Sequence, residues 1–427
     1  MTDSTSTVAG TFDQKLDHAN ASDTRTFKQR YWTDNSNAQG NDSPVIFVLC
    51  GEAECGGAAE FTGAIGDHAK KIHANLITLE HRYYGKTQPF DKMTTENLKY
   101  LTTENALEDA AAFETFAVSQ LHFTGKWVVV GGSYPGSLAA YYRLKYPNLV
   151  VGALASSGPV LAKSNFEDYD HHVFQVAGSD CAAQIKTVVA QIEGLLNDPV
   201  ALLAVKKLFQ ADTLTDNVDF LYLVADMGGL AVQYGYKDQF CKLIAGPNPI
   251  DGYATFTKQI FQSWGMTALS DSVAGAVDTD TSLYTTGVGN RQWFYQSCTE
   301  YGYFQNAYHI PAESARSQMI NPAYHQNACK RMFGIETPVD TSTVNKNFYE
   351  PLLNESTSRI LFTNGSNDPW SLLSITVPNG NATNPNTTVY LVDGASHCDD
   401  LRPATPTDST SLQGARALFD ELLGQWL

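Results

Sequence analysis

The stretch Trp127–Pro147, WVVVGGSYPGSLAAYYRLKYP, decides how the rest of the chain is read. An apolar run leads through Gly131 and Gly132 to Ser133, and a helix-forming segment, LAAYYRLKY, follows at once. A buried strand, a tight turn and a helix in that order put a serine hydroxyl at the carboxyl edge of a sheet, where α/β folds hold their ligands. Flanking glycines permit the sharp turn that lifts the hydroxyl. The spacing departs from a G-x-S-x-G pattern at one place. Counted from Gly131, the last position holds Pro135, and the glycine comes one residue late at Gly136. Position 135 falls in the first helical turn, where N–H groups lack intrahelical partners and a fixed φ is favourable. Tyr134, directly after the serine, keeps its own N–H, so the turn retains its donor.

The alternation extends on both sides. PVIFVLCGE, opened by Pro44, and ANLITLEHRYYG, ending at Gly85, read as buried strands, as does VVGALASSG after the helix. A helix is expected from about Thr103, with Thr103 and Asn105 as candidate caps. Strands apolar on both faces and separated by helices predict a mainly parallel sheet covered on both sides. Residues 163–340 read mostly as helices with aromatic-rich connectors, and the strand pattern returns in SRILFTNGSNDPW and TTVYLVDGASHCDD before a closing amphipathic helix. The expected fold is α/β, with a domain built from 1–162 and 341–427 and a helical cap at 163–340. No internal repeat is present.

Composition narrows the function classes. The chain has 427 residues, 43% of them hydrophobic, enough to bury a substantial core. Lys plus Arg is 28 against Asp plus Glu 45, a net charge of −17, which argues against nucleic acid or an anionic membrane as partner. LVVGALASSGPVLA, the most apolar stretch, is too short to span a bilayer. The start, MTDSTSTVAGTF, lacks the basic-then-apolar order of a signal peptide. Seven cysteines at wide spacing fit no zinc pattern, and their odd number leaves at least one thiol free if the rest pair. Glycosylation sequons begin at Asn20, Asn41, Asn354, Asn364, Asn381 and Asn386.

A serine hydroxyl is a poor nucleophile and needs a base and an orienting acid. Asp368 ends the strand-like ILFTNGSNDPW, and His397 ends VYLVDGASH. Both follow the cap, in the order Ser, Asp, His of the α/β-hydrolase fold. The catalytic candidates are therefore Ser133, Asp368 and His397. The oxyanion donors expected are the Tyr134 N–H and an amide at Gly51 or Glu52, from the loop GEAECGG. No metal or organic cofactor is needed for this chemistry. His18, His81, His171 and His172 lack such a context and read as structural.

LEHRYYGK, GGSYPGSLAAYYRLKYP, ALASSGPV, YQSCTEYGYFQ, NGSNDPW and GASHCDDL together resemble the serine peptidases of family S28, and the Ser-Tyr-Pro-Gly form resembles its thymus-specific branch. The resemblance runs from about FDQKLDH to the last helix. It implies an α/β-hydrolase domain with a helical cap, a lysosomal or secreted setting, and cleavage of peptides next to proline, as an exopeptidase more than an endopeptidase. It also implies disulfides Cys181–Cys241 and Cys298–Cys329, with Cys55–Cys398 a weaker candidate and Cys50 left over. Glu52 or Glu54 is a candidate for binding a substrate amine, which would favour a dipeptidyl peptidase over a carboxypeptidase. Trp370, Trp293 and Tyr301 are candidates for an apolar slot that stacks on proline. A homodimer is the candidate assembly. Two competing readings are a carboxylester hydrolase with the same triad and a non-catalytic binding protein of the same fold. A histidine base near its reference pKa of about 6.5 is largely protonated at lysosomal pH, so activity there requires a site that lowers it.

Overall fold

Five consecutive buried residues, VIFVL at Val45–Leu49, form the strand nearest the middle of the sheet. The protein is described by a computed structural model covering residues 7–263, 279–283, 288–376 and 384–427. Its strands, in chain order, are β1 (Thr7–Lys15), β2 (Thr26–Asp34), β3 (Val45–Leu49), β4 (Asn75–Leu79), β5 (Trp127–Gly132), β6 (Val150–Ser156), β7 (Lys163–Asn165), β8 (Gly302–Phe304), β9 (Ile360–Gly365) and β10 (Thr388–Val392). Eight of them make one sheet in the order β1-β2-β4-β3-β5-β6-β9-β10, and β7 pairs only with β8. From β4 to β10 every pairing is parallel, and β1 and β2 add an antiparallel edge. This is the α/β-hydrolase fold. The parallel strands β3, β4 and β5 are buried almost throughout because helices cover both faces.

The antiparallel edge is absent from the strand expectation above, for a physical reason. β2 alternates in burial, yet its inward positions include Gln29, whose side chain bonds the buried Gln14 of β1 (2.8 Å) and the carbonyl of Glu80 (2.9 Å). Polar residues facing inward erase the apolar alternation that marks a strand.

One face of the sheet packs on the helices Thr103–Gln120 and Tyr134–Lys145. The other packs on Gly63–Ile72 and Thr410–Trp426. There Trp426 lies so close to β6 that a Cβ on Gly152 would come within 2.2 Å of its ring. The helix beginning at Thr103 is capped by Thr102, whose hydroxyl accepts from the Asn105 N–H (3.2 Å), and not by Thr103 or Asn105. Thr103 is diverted: its hydroxyl and N–H both donate to the Glu300 carboxylate.

Between β6 and β9 the chain is mainly helical, including Asp168–Ala177, Ser179–Gly194, Asn217–Gln233, Pro249–Ser263 and Pro322–Phe333. Disulfides Cys181–Cys241 and Cys298–Cys329 both form. The Cys55–Cys398 bridge does not. Cys55 pairs instead with Cys50, five residues back in the same loop with 5.6 Å between Cα atoms, and Cys398 is the free thiol. Among the described residues no helix is long and apolar enough to cross a membrane. Asn364 is 2% exposed, so its sequon is closed in the folded chain; Asn20, Asn41, Asn354 and Asn386 are exposed, and Asn381 lies outside the described residues.

Candidate active site

Ser133 sits between β5 and its following helix with φ 62° and ψ −135°. A side chain in this region is strained by about 1–3 kcal/mol, so the surroundings must impose it. The Ser133 N–H donates to the carbonyl of Ser156 on β6 (2.9 Å), and the Gly136 and Ser137 amides donate back to the Ser133 carbonyl (2.8 and 3.2 Å). The late glycine has its own reason: a Cβ on Gly136 would meet the Ser156 oxygen at 2.6 Å and the Gly158 Cα at 3.1 Å. Pro135 is also used, since its ring covers Gly51, where a Cβ would fall 2.4 Å from it. Thus the loop after β3 lies directly on the turn, and only glycine fits at 51.

Tyr134 is 1% exposed and fully hydrogen-bonded at its hydroxyl. His81 Nδ1 lies 2.8 Å from the Arg82 carbonyl, which can only accept, so Nδ1 carries the proton and Nε2 accepts from the Tyr134 hydroxyl (3.0 Å). Gln296 Nε2 donates to the same hydroxyl (2.9 Å). Burial pushes the His81 imidazole down to about 4, which keeps it neutral. His81 is therefore a support for the turn, as its sequence context indicates. The Tyr134 N–H heads the helix and has no intrahelical acceptor.

Asp368 follows β9 and is completely buried. Its Oδ1 caps the next turn by accepting from the Trp370 N–H (3.0 Å), and its Oδ2 accepts from His397 Nδ1 (2.6 Å). His397, 3% exposed, is fixed by its N–H donating to the Gln233 carbonyl (2.8 Å). Its Nε2 has no hydrogen-bond partner among the described residues. Next to it, the Cys398 N–H donates to Ser157 Oγ (3.0 Å), and its Sγ lies 3.0 Å from where a Cβ on Gly132 would be. Residues 397–398 therefore pack against the turn that bears Ser133. Burial opposes the charged form of His397, but Asp368 and Cys398 outweigh it and hold the imidazole well above its ordinary range. That is opposite to the lowering that activity at lysosomal pH requires.

A cavity of about 190 Å³ opens on Ser133. Of the sequence candidates, Tyr134, Glu52, Trp293 and Trp370 line it, with Pro159 and Tyr303 beside them. Burial raises the Glu52 carboxyl. Two candidates lie elsewhere. Glu54 faces a neighbouring cleft and pairs with Lys86 (3.3 Å) and Arg30 (3.8 Å). Tyr301 is fully buried behind the wall, its ring stacked on Tyr303 at 5.2 Å and its hydroxyl bonded to Thr103.

Sequence reasoning missed Gln233, which accepts from Trp370 Nε1 (2.9 Å) and the Tyr169 hydroxyl (2.8 Å) besides holding His397. A signal existed. Asp219, Asp226 and Gln233 recur every seventh residue in the otherwise apolar helix Asn217–Gln233, which puts three polar groups on one face.

Comparison with known proteins decides the family. Residues 14–419 match the family model of serine carboxypeptidase S28. The chain belongs to the S28 serine peptidases. It is 36% identical to the probable serine protease EDA2 of Arabidopsis thaliana, over 84% of this chain and 74% of the relative. It is 32% identical to the thymus-specific serine protease of Mus musculus, over 98% and 87%. Lysosomal Pro-X carboxypeptidase of Mus musculus is 28% identical, over 97% and 88%. Serine peptidase activity follows from S28 membership.

Proposed function

We propose that this S28 peptidase cleaves peptides on the carboxyl side of proline, as an exopeptidase, with Ser133, Asp368 and His397 as its triad. One observation carries the reading: the buried Asp368–His397 pair presents an imidazole with a bare Nε2 beside the turn that bears Ser133. In the proposed reaction Nε2 takes the hydroxyl proton as Ser133 Oγ attacks the peptide carbonyl. The Tyr134 N–H and an amide at Gly51 or Glu52 hold the oxyanion. The leaving amine takes its proton from the imidazolium, and water then releases the acyl group by the reverse path. Asp368 keeps the proton on Nδ1 and stabilises the charged ring. Trp293 and Trp370 are flat apolar walls suited to a pyrrolidine ring, and the name of one relative, lysosomal Pro-X carboxypeptidase, agrees with that choice.

The three disulfides and the lysosomal relatives fit a lysosomal or secreted protein. A peptide-library digest read by mass spectrometry tests the specificity. Cuts confined to the bond after proline are expected, near one terminus of each peptide, and all cutting should vanish in Ser133→Ala. A digest without cuts after proline would overturn the substrate assignment.

A further inference from the structure

The cavity at Ser133 mixes aromatic walls with polar side chains from the helical run, Asp226 and His325 among them. Among the described residues that line it there are two carboxylates, Glu52 and Asp226, and no lysine or arginine. Among the described residues Asp226 has one charged partner, Arg316 Nη2, at 3.5 Å, long for a charge-assisted bond of about 2.7–2.9 Å. That guanidinium is already engaged: it donates to the Gln305 carbonyl (2.9 Å) and to Gln305 Oε1 (2.8 Å). It also lies 4.0 Å from Asp170, which itself accepts from the Tyr308 and Ala315 amides and the Ser314 hydroxyl. Two carboxylates thus share one cation that is 2% exposed, while the Asp226 side chain stays 16% exposed.

His325 supplies an independent observation. It is 1% exposed and lines the same cavity. Asn306 gives its amide protons to Asn165 Oδ1 (2.7 Å), so its own Oδ1 is the atom facing His325 Nδ1 at 2.8 Å. Nδ1 must then carry the proton, and Nε2 is a lone pair. No group in the described structure donates to it. Burial pushes this imidazole down to about 3, so it stays an acceptor. A buried acceptor without a donor costs roughly 1–3 kcal/mol, a penalty that a bound donor would relieve.

A carboxylate short of a partner and a lone pair without a donor call for the same guest. We infer that Asp226 and His325 bind a protonated primary amine of the substrate held in the Ser133 cavity. The inference rests on the peptidase reading above for what occupies the cavity. The ammonium has two sources: the free N-terminus of a short peptide, which would make the enzyme remove N-terminal fragments, or a lysine side chain. Asp226 carries the charge and His325 the direction. Burial holds the Asp226 carboxyl at about 6, so it is ionised at neutral pH and available to a cation.

Binding to the full-length Ser133→Ala protein, measured by calorimetry, tests this without turnover. The probes are the tripeptide Ala-Pro-Phe, its N-acetylated form, and N-acetyl-Ala-Lys-Phe beside N-acetyl-Ala-norleucine-Phe. One cationic probe is expected to bind at least tenfold more tightly than its uncharged counterpart. The first pair points to the N-terminus, and the second to a lysine side chain. Adding Asp226→Asn should erase most of that gap while leaving the uncharged probes within about twofold. His325→Gln, which can still donate to Asn306, is the second variant and should narrow the gap at least threefold. Equal binding of charged and uncharged probes, or a gap that survives both substitutions, overturns the inference. Failure of the wild-type protein to cut any peptide overturns the peptidase reading separately, because these affinities do not depend on cleavage.

Discussion

Ser133 is held in its turn by a neighbouring strand, and Asp368 is held by the first amide of the turn it caps. Side chains fixed this way need little reorganisation when charge develops, which is where electrostatic catalysis acts. Asp368→Asn keeps the shape but removes the carboxylate that selects the Nδ1–H form of His397. We expect kcat/KM to fall by about 10³–10⁴-fold with near-native folding by circular dichroism. Because His397 titrates above its ordinary range, and the base in the proposed reaction must be neutral to accept a proton, wild-type kcat/KM should climb as pH rises through neutrality. A rate that is highest near pH 5 would contradict that assignment. The three residues proposed as the triad can be picked out in the sequence because each stands at the end of a strand with local punctuation around it. Asp226 and His325 are not singled out there: Asp226 is one of three polar residues spaced by seven on its helix, His325 is one of several on another, and only packing brings the two helices to the same cavity.

At the scale of elements, the parallel strands and their helices could be read from apolar runs, whereas the antiparallel edge could not, because Gln14 and Gln29 face inward as a bonded pair. The sequence offers the loop from β3 to the first long helix as a source of an oxyanion amide, of the acidic candidates Glu52 and Glu54, and of Cys55 as a partner for Cys398. Its closure by Cys50–Cys55 was missed, because spacing alone cannot choose among seven cysteines. In the helical run, the Cys298–Cys329 bridge joins the turn that carries Glu300 and Tyr301 to the helix that carries His325. It closes a separation of 31 residues, for which chain entropy gives a stabilisation of about 3–4 kcal/mol. Replacing both cysteines with serine should lower the midpoint of chemical denaturation accordingly. An unchanged midpoint would mean that packing alone holds the two segments together.

At the scale of the molecule, several buried carboxyls hold protons that the unfolded chain would release. Burial raises Glu114 and Glu300 each to about 7, and His397 is likewise raised. A raised folded value means that the native state binds the extra proton, so stability grows as pH falls toward it. Between pH 8 and about 6.5 these groups act in the same direction, and the melting temperature should rise. Below about 6.5 the unfolded histidines take up protons. His81 and His325, held at about 4 and 3, then oppose further gain. A scan of melting temperature in half-unit steps of pH checks both the rise and its flattening; a steady decline from pH 8 to 6.5 would refute it. The sequence gives a net charge of −17 but not this behaviour, which depends on which carboxyls are buried.

Cys398 bears on how such an enzyme would be classified at the bench. Cys398 directly follows His397, its sulfur lies against Gly132, the residue before Ser133, and it also lines the cleft shared with Glu52. An organomercurial added there would crowd the imidazole and stop hydrolysis, although sulfur takes no part in it. An inhibitor panel would then report a cysteine peptidase, and the same panel run on Cys398→Ala would report a serine peptidase that mercurials leave untouched.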